Sequence, residues 1–193
     1  MPSNKSELAA RIALTRPRDG VRGLFFRVVF ELIEQRGGPE ALRQVRTGSL
    51  GVEQKDLRTY PAADYLTMLY TAADVLEGRL GSEDQVFNAC GRACVQRFAS
   101  GPGQIVFGIL GKGDPHRLFA QTSVAFSTVV TYGKREYLAV SPKSCVLLYR
   151  GDMQPAAYHV GIFEGALEAL GFRGRVTARV EALDAVDYTI SWE

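Results

Sequence analysis

The stretch that decides the fold is the last third of the chain: YLAV at 137–140, CVLLY at 145–149, PAAYHVGIFEGALEAL at 155–170, RVTARVEA at 175–182 and YTISW at 188–192. The first two runs are almost wholly large and apolar, as buried strands require. Between Pro155 and Leu170 the period changes to that of a helix, with Ala156, Val160, Phe163, Leu167 and Leu170 spaced four, three, four and three apart. Val176, Ala178, Val180 and Ala182 then alternate with Arg175, Thr177, Arg179 and Glu181, and Tyr188, Ile190 and Trp192 alternate with Thr189 and Ser191. Strand, strand, helix, strand, strand predicts a small antiparallel sheet with one helix packed across it.

Upstream of this unit the pattern is helical. Phe25, Val28, Val29, Leu32 and Ile33 share one broad face of a helix over Leu24 to Gln35, which Gly37-Gly38 stops. Pro39 suits the first turn of a short helix, Glu40 to Arg46. An amphipathic helix after Tyr60-Pro61 turns Leu66, Leu69, Tyr70, Ala73 and Leu76 inward, and Ser82 with Glu83 opens another with Val86, Cys90, Ala93, Cys94 and Phe98 on its stripe. Pro102 can begin a short helix through Leu110, and Asp114 can cap a helix running from Pro115 through Val129. Helices first and sheet last predict an α+β fold rather than a wound parallel sheet. Residues 1–20 are expected as a flexible arm, with order beginning near Gly23 and residues 21–193 forming one domain.

With 193 residues, 46% of them hydrophobic, the chain can bury a substantial single core. Its 23 basic and 21 acidic residues leave a net charge of +2 without clustering, so no footprint for nucleic acid stands out. No apolar run reaches the roughly 18 residues of a membrane-spanning helix. The three cysteines do not suggest a disulfide framework, and the expectation is a cytoplasmic protein.

Chemistry is sparse. Cys90 and Cys94 lie four apart on an apolar stripe, where free cysteine packs as a small hydrophobe, so no metal site is expected. Gly161 and Gly165 sit inside a helix at about 1 kcal/mol each relative to alanine, which calls for a close neighbour: the domain itself, a dimer seam or a ligand cleft. His116 and His159 are the only histidines, and neither has an Asp or Glu in a triad-like pattern. Ser123, Ser127 and Ser144 lack a nucleophile-elbow setting. The Gly-rich turns at Gly101-Pro102-Gly103 and from Gly108 to Gly113 are not followed by Gly-Lys-Ser/Thr, so no phosphate loop is predicted.

Gly23-Leu24-Phe25-Phe26, Tyr60-Pro61-Ala62-Ala63-Asp64-Tyr65, Asp114-Pro115 before Thr131-Tyr132-Gly133, Pro155 to Gly161, and Tyr188 to Trp192 together resemble a myxobacterial family of uncharacterised single-domain proteins. That family is similar in layout to the superfamily of haem nitric-oxide-binding domains, vinyl-reductase-type small-molecule-binding domains and transport-particle subunits. The resemblance implies a helical half followed by an α/β half. In the haem-binding members it implies a histidine on a helix before the sheet and a Tyr-x-Ser-x-Arg motif that holds the propionates. His116 lies in the first region, but the second reads Tyr149-Arg150-Gly151-Asp152-Met153, so no cofactor is expected. Cys145 is the only cysteine in the sheet half.

The expected function is a non-enzymatic module, a signalling sensor or scaffold that binds a small apolar ligand or a protein partner. His116, Tyr149, Arg150, Tyr158 and His159 are its candidate ligand residues. The alternatives are a haem or other cofactor sensor working through His116, and an enzyme whose site is assembled from Arg150, Asp152, Tyr158 and His159. A homodimer or a heterodimer with a paralogue is expected, with Phe25, Val29, Ile33, Gly161 and Gly165 as interface candidates.

Overall fold

The computed structural model describes residues 4–99 and 113–193. The helix expected from Pro102 to Leu110 lies outside them, as do the turn at Gly101-Pro102-Gly103, the side chain of Phe98 and the turn from Gly108 up to residue 112.

The elements run α1 Lys5–Leu14, β1 Gly20–Arg22, α2 Gly23–Val45, β2 Thr59–Pro61, α3 Ala62–Leu80, α4 Glu83–Ala99, α5 Pro115–Ala120, α6 Thr122–Ser127, β3 Lys134–Ser141, β4 Ser144–Arg150, α7 Ala156–Ala169, β5 Gly174–Ala182 and β6 Ala185–Trp192. The chain is α+β, as the order of patterns predicts. A short ribbon, β1 with β2, sits in the helical half, and the main sheet has the antiparallel order β3-β4-β6-β5. Helix α2 is two helices across a kink at Gly38, whose φ of 81° only glycine adopts readily, with Pro39 opening the second segment. The helix expected from Pro115 through Val129 divides at Gln121 into α5 and α6, and Asp114 caps α5 by accepting from the His116 amide.

The N-terminal arm is not loose. Asn4 caps α1 by accepting from the Glu7 amide, and Arg11, only 5% exposed, fixes the helix to the rest of the protein. Its guanidinium donates to the carbonyls of Met153 (3.0 Å), Gln154 (3.3 Å) and Leu183 (2.7 Å) and to the Tyr70 hydroxyl (3.0 Å). Order therefore begins at Lys5 rather than Gly23, because one buried guanidinium ties α1 both to α3 and to backbone carbonyls of the sheet half.

Two apolar cores result. One lies among α2, α3 and α4 and contains Phe26, Val29, Ile33, Leu66, Leu69, Leu76, Val86 and Cys90; the other joins α7 to the inner sheet face through Phe163, Leu167, Leu147, Tyr149, Tyr188 and Ile190. The seam between them is the α4–α7 crossing. A Cβ at Gly161 would lie 2.0 Å from the Asn88 carbonyl oxygen, and one at Gly91 would lie 2.0 Å from that of Tyr158. Arg92 reinforces the crossing with ion pairs to Glu164 (2.7 Å) and Glu168 (2.6 Å).

These facts correct the interface expectation. Phe25, Val29 and Ile33 are 8%, 0% and 0% exposed, so the broad apolar face of α2 is used up inside the chain by α3 and α4. Gly161 and Gly165 face α4 of the same chain, where Gly165 would set a Cβ in ordinary contact with Arg92 and Val95 at 3.5 Å. None of the five is available as a seam between copies.

Cys90, Cys94 and Cys145 are free and buried. The Cys94 sulfur lies 3.4 Å from the Tyr158 hydroxyl, and burial pushes its thiol up to about 11. Cys94 should therefore resist thiol reagents until the protein unfolds, and Cys94→Ala should cost on the order of 1 kcal/mol through the small cavity left behind, as urea unfolding would report.

Candidate functional site

The sheet half folds a polar cluster into its apolar core. The β3–β4 register sets Arg135 opposite Tyr149, both pointing inward, and Asp152 follows β4 directly. Helix α7 then returns His159 over the same spot. Arg135 (8% exposed), Asp152 (3%) and His159 (1%) form a continuous hydrogen-bonded chain, with Arg135 paired to one Asp152 oxygen and His159 Nε2 at 3.2 Å from the other. Arg135 also donates to the Tyr132 carbonyl, Gln154 donates its side-chain amide to the Tyr132 hydroxyl, and the Gln154 backbone amide donates to Asp152 Oδ1. A carboxylate in such a position would be raised by burial; the charges of His159 and Arg135 overcome that and hold Asp152 down at about 2.

Aromatic rings close the cluster. The Arg135 guanidinium lies 4.5 Å over Phe126 and 5.0 Å over Tyr149, and the His159 ring is 4.9 Å from Tyr149, 5.7 Å from Phe126 and 5.8 Å from Tyr188. Two buried polar atoms here, Gln154 Oε1 and His159 Nδ1, have no hydrogen-bond partner, while the Tyr149 hydroxyl lies beside the Arg135 guanidinium, which interacts with it. Because the ionised Asp152 oxygen can only accept, His159 Nε2 carries the hydrogen.

Of the sequence candidates, the structure brings Tyr149 and His159 together and separates Arg150 and His116 from them. Tyr158 sets its ring 5.4 Å from that of His159 but turns its hydroxyl into the helical half, 2.8 Å from that of Tyr65. Arg150 lies on the outer sheet face, paired with Asp187 at 2.6 Å. His116 packs against Trp192 and the far end of β3. The residues that reasoning from sequence passed over are Arg135, Tyr132 and Gln154, together with the Asp152–His159 link. That link is an acidic partner for His159 that no triad-like pattern marks: the two stand seven positions apart, one just past a strand and one on a helix. Two of the serines considered stand elsewhere, Ser127 on the Val124 carbonyl and Ser144 on the Ser141 hydroxyl. Of the residues proposed for a scattered enzyme site, Asp152 bonds His159 and the Tyr158 ring touches it, while Arg150 stands apart on the outer sheet face, and among the described residues no three His, Cys, Asp or Glu side chains gather as a metal site.

The residues expected for haem do not fit it. His116 Nε2 lies 2.8 Å from the Ser141 carbonyl, which can only accept, so that nitrogen carries the hydrogen; Nδ1 meets the Tyr137 hydroxyl. Neither nitrogen is free for iron. At the place of the propionate-holding motif, Tyr149 is 1% exposed in the core, Gly151 has no side chain, and Met153 is buried with its carbonyl on Arg11.

Among the described residues no helix is long and apolar enough to cross a membrane. The fold has solved relatives. The chain superposes on the unliganded Fe(II) H-NOX protein of K. algicida with a TM-score of 0.71 at 14% identity, covering 89% of this chain and 96% of that one. It superposes on the S. oneidensis H-NOX protein in the Fe(II)NO state with a TM-score of 0.67 at 11% identity, covering 89% and 99%. For a mutant of T. tengcongensis H-NOX the values are 0.65, 12%, 89% and 97%. At such identities the likeness is one of fold. Comparison with curated protein sequences finds no match. The family model described as "Protein of unknown function (DUF2378)" matches residues 14–193, and the chain belongs to that family.

Proposed function

We propose that this chain is a non-enzymatic binding module, a sensor or scaffold domain that uses the H-NOX-like fold without haem. The observation that carries this reading is the bonding of His116. Both of its ring nitrogens are taken by Tyr137 and Ser141, so the one histidine in the region expected for iron is spent on holding α5 to β3. The closed Arg135–Asp152–His159 cluster supports a binding rather than a catalytic role, because no hydroxyl or thiol nucleophile touches its histidine among the described residues.

A second reading, a haem or other cofactor sensor, is favoured by one finding: the solved structures of this fold carry titles naming Fe(II) H-NOX proteins, one with NO. His159, backed by a carboxylate and with Nδ1 unpartnered, is the residue through which it would work. Hemin titration separates the two. The proposal expects no saturable Soret change, and the His116→Ala and His159→Ala variants should behave as the parent does. A Soret band that saturates at one hemin per chain and is lost in either variant would replace the first reading by the second.

A further inference from the structure

The apolar faces expected to join two copies are spent inside the chain, but one edge of the main sheet is left open. In the order β3-β4-β6-β5, strand β5 pairs only with β6, and every residue of it except Val176 is exposed. One bond fixes the direction of its free backbone groups. The Glu193 amide donates to the Arg173 carbonyl (2.9 Å), on the same register that sets Arg175 opposite Ser191 and Thr177 opposite Thr189. Antiparallel pairs alternate between bonded and unbonded, so Arg175, Thr177 and Arg179 turn their N–H and C=O groups toward β6. Those of Val176, Ala178 and Val180 point the other way, and among the described residues no backbone bond meets them.

A free edge is a template for another strand, and β5 is complementary to its own sequence reversed. Antiparallel pairing of two copies about Ala178 sets Val176 opposite Val180, Arg175 opposite Glu181 and Ala178 opposite itself. Val176, Ala178 and Val180 are the residues with free backbone groups, so the same register forms about six N–H···O bonds. The faces agree as well. On the inner face Val180, 57% exposed, gains Val176 of the other copy, a residue that already belongs to the core under α7. On the outer face Arg175 has no ion pair among the described residues, whereas Glu181 is held there by Arg179 (3.0 Å) and Arg150 (3.5 Å). Moving the axis by one residue sets Arg175 opposite Arg179, or Arg179 opposite itself, and like charges directly opposite are destabilising. The bulge between Val180 and Ala182 ends the regular strand just past the last valine pair.

From this complementarity we propose that β5 is the seam of a homodimer, in which two copies pair β5 with β5 about a twofold axis at Ala178 and join their four-stranded sheets into one. The contact is isologous, with the same patch used on both copies, so it closes at two. Backbone bonds supply the attraction, while the valine pairs and the Arg175–Glu181 pairs fix the register. The seam does not depend on whether the protein takes haem.

Sedimentation equilibrium of the full-length protein up to high micromolar concentration tests this. The expected result is a monomer–dimer equilibrium with its midpoint at roughly 10–100 μM, as suits a contact smaller than a standard interface. Ala178→Pro removes an N–H that β6 does not use, so it should abolish association and keep the parent unfolding midpoint. Arg175→Glu and Glu181→Arg should each weaken self-association about tenfold, since two attractive pairs become repulsive. An equal mixture of these two variants should associate as the parent does, because each opposes the other's changed residue with the opposite charge. That rescue reads the register itself and decides the matter even if the proline variant fails to fold. A monomer throughout, assemblies larger than two, a dimer that folded Ala178→Pro leaves intact, or a mixture that associates no better than either variant alone would each overturn the proposal.

Discussion

Asp152→Asn is expected to destabilise the protein by about 3–5 kcal/mol, the range seen when one partner of a buried ion pair is removed and the other charge is left in the core. Asparagine keeps the shape of the side chain, so the loss isolates charge from packing. Arg135, 8% exposed, would lose its anionic partner and keep the Tyr132 carbonyl and the Phe126 and Tyr149 rings, and His159 Nε2 would face an amide. Urea unfolding at neutral pH measures the cost; a loss below about 1 kcal/mol would mean that the cluster does not hold the sheet half together. The acid limb gives an independent check. Asp152 ionises at about 2 in the folded protein against an ordinary value of 3.8, so between those values the unfolded chain binds more protons. Stability linked to this group is therefore fully present above about pH 4 and lost as pH falls through about 2, by roughly 2 kcal/mol. The gap between parent and Asp152→Asn should narrow by about that amount over this window.

The second large effect lies at the α4–α7 crossing. Gly161→Ala puts a methyl group 2.0 Å from a backbone oxygen that belongs to the middle of α4, so a whole helix must move. Overpacking of this kind costs about 1–3 kcal/mol and more where backbone is the obstacle. Gly165→Ala, one turn further along the same helix, meets only ordinary contacts at 3.5 Å. It should be neutral or stabilise by up to about 1 kcal/mol through helix propensity. Equal unfolding midpoints for the two variants would show that the helices are not in close contact at Gly161.

The pair also marks how far the sequence could be read. Glycine inside α7 announces a close neighbour, but two glycines four residues apart look alike on paper, and only the crossing geometry separates the intolerant Gly161 from the permissive Gly165. Gly91, its counterpart on α4, carries no such signal because it stands alone in its helix. The sheet was legible because alternation is a local property of each strand: Tyr188, Ile190 and Trp192 are all buried as their spacing demands. Val180 alternates equally well and is 57% exposed, because β5 is an edge strand and α7 does not reach that end. The cluster was not legible. Arg135 reaches Asp152 through hairpin register, His159 arrives from a helix, and Arg11 meets Met153 across 142 residues of chain, so no window of sequence contains all of these contacts. His116 shows the same limit, since nothing in its sequence position announces the bonds to Tyr137 and the Ser141 carbonyl that tie it to β3.

Whether this H-NOX-like fold works without haem is decided by native mass spectrometry of the protein purified from haem-replete cells, together with its visible absorption spectrum. The expected result is a chain free of haem and no Soret band. One haem per chain, retained through purification and lost on substituting His116 or His159, would contradict it.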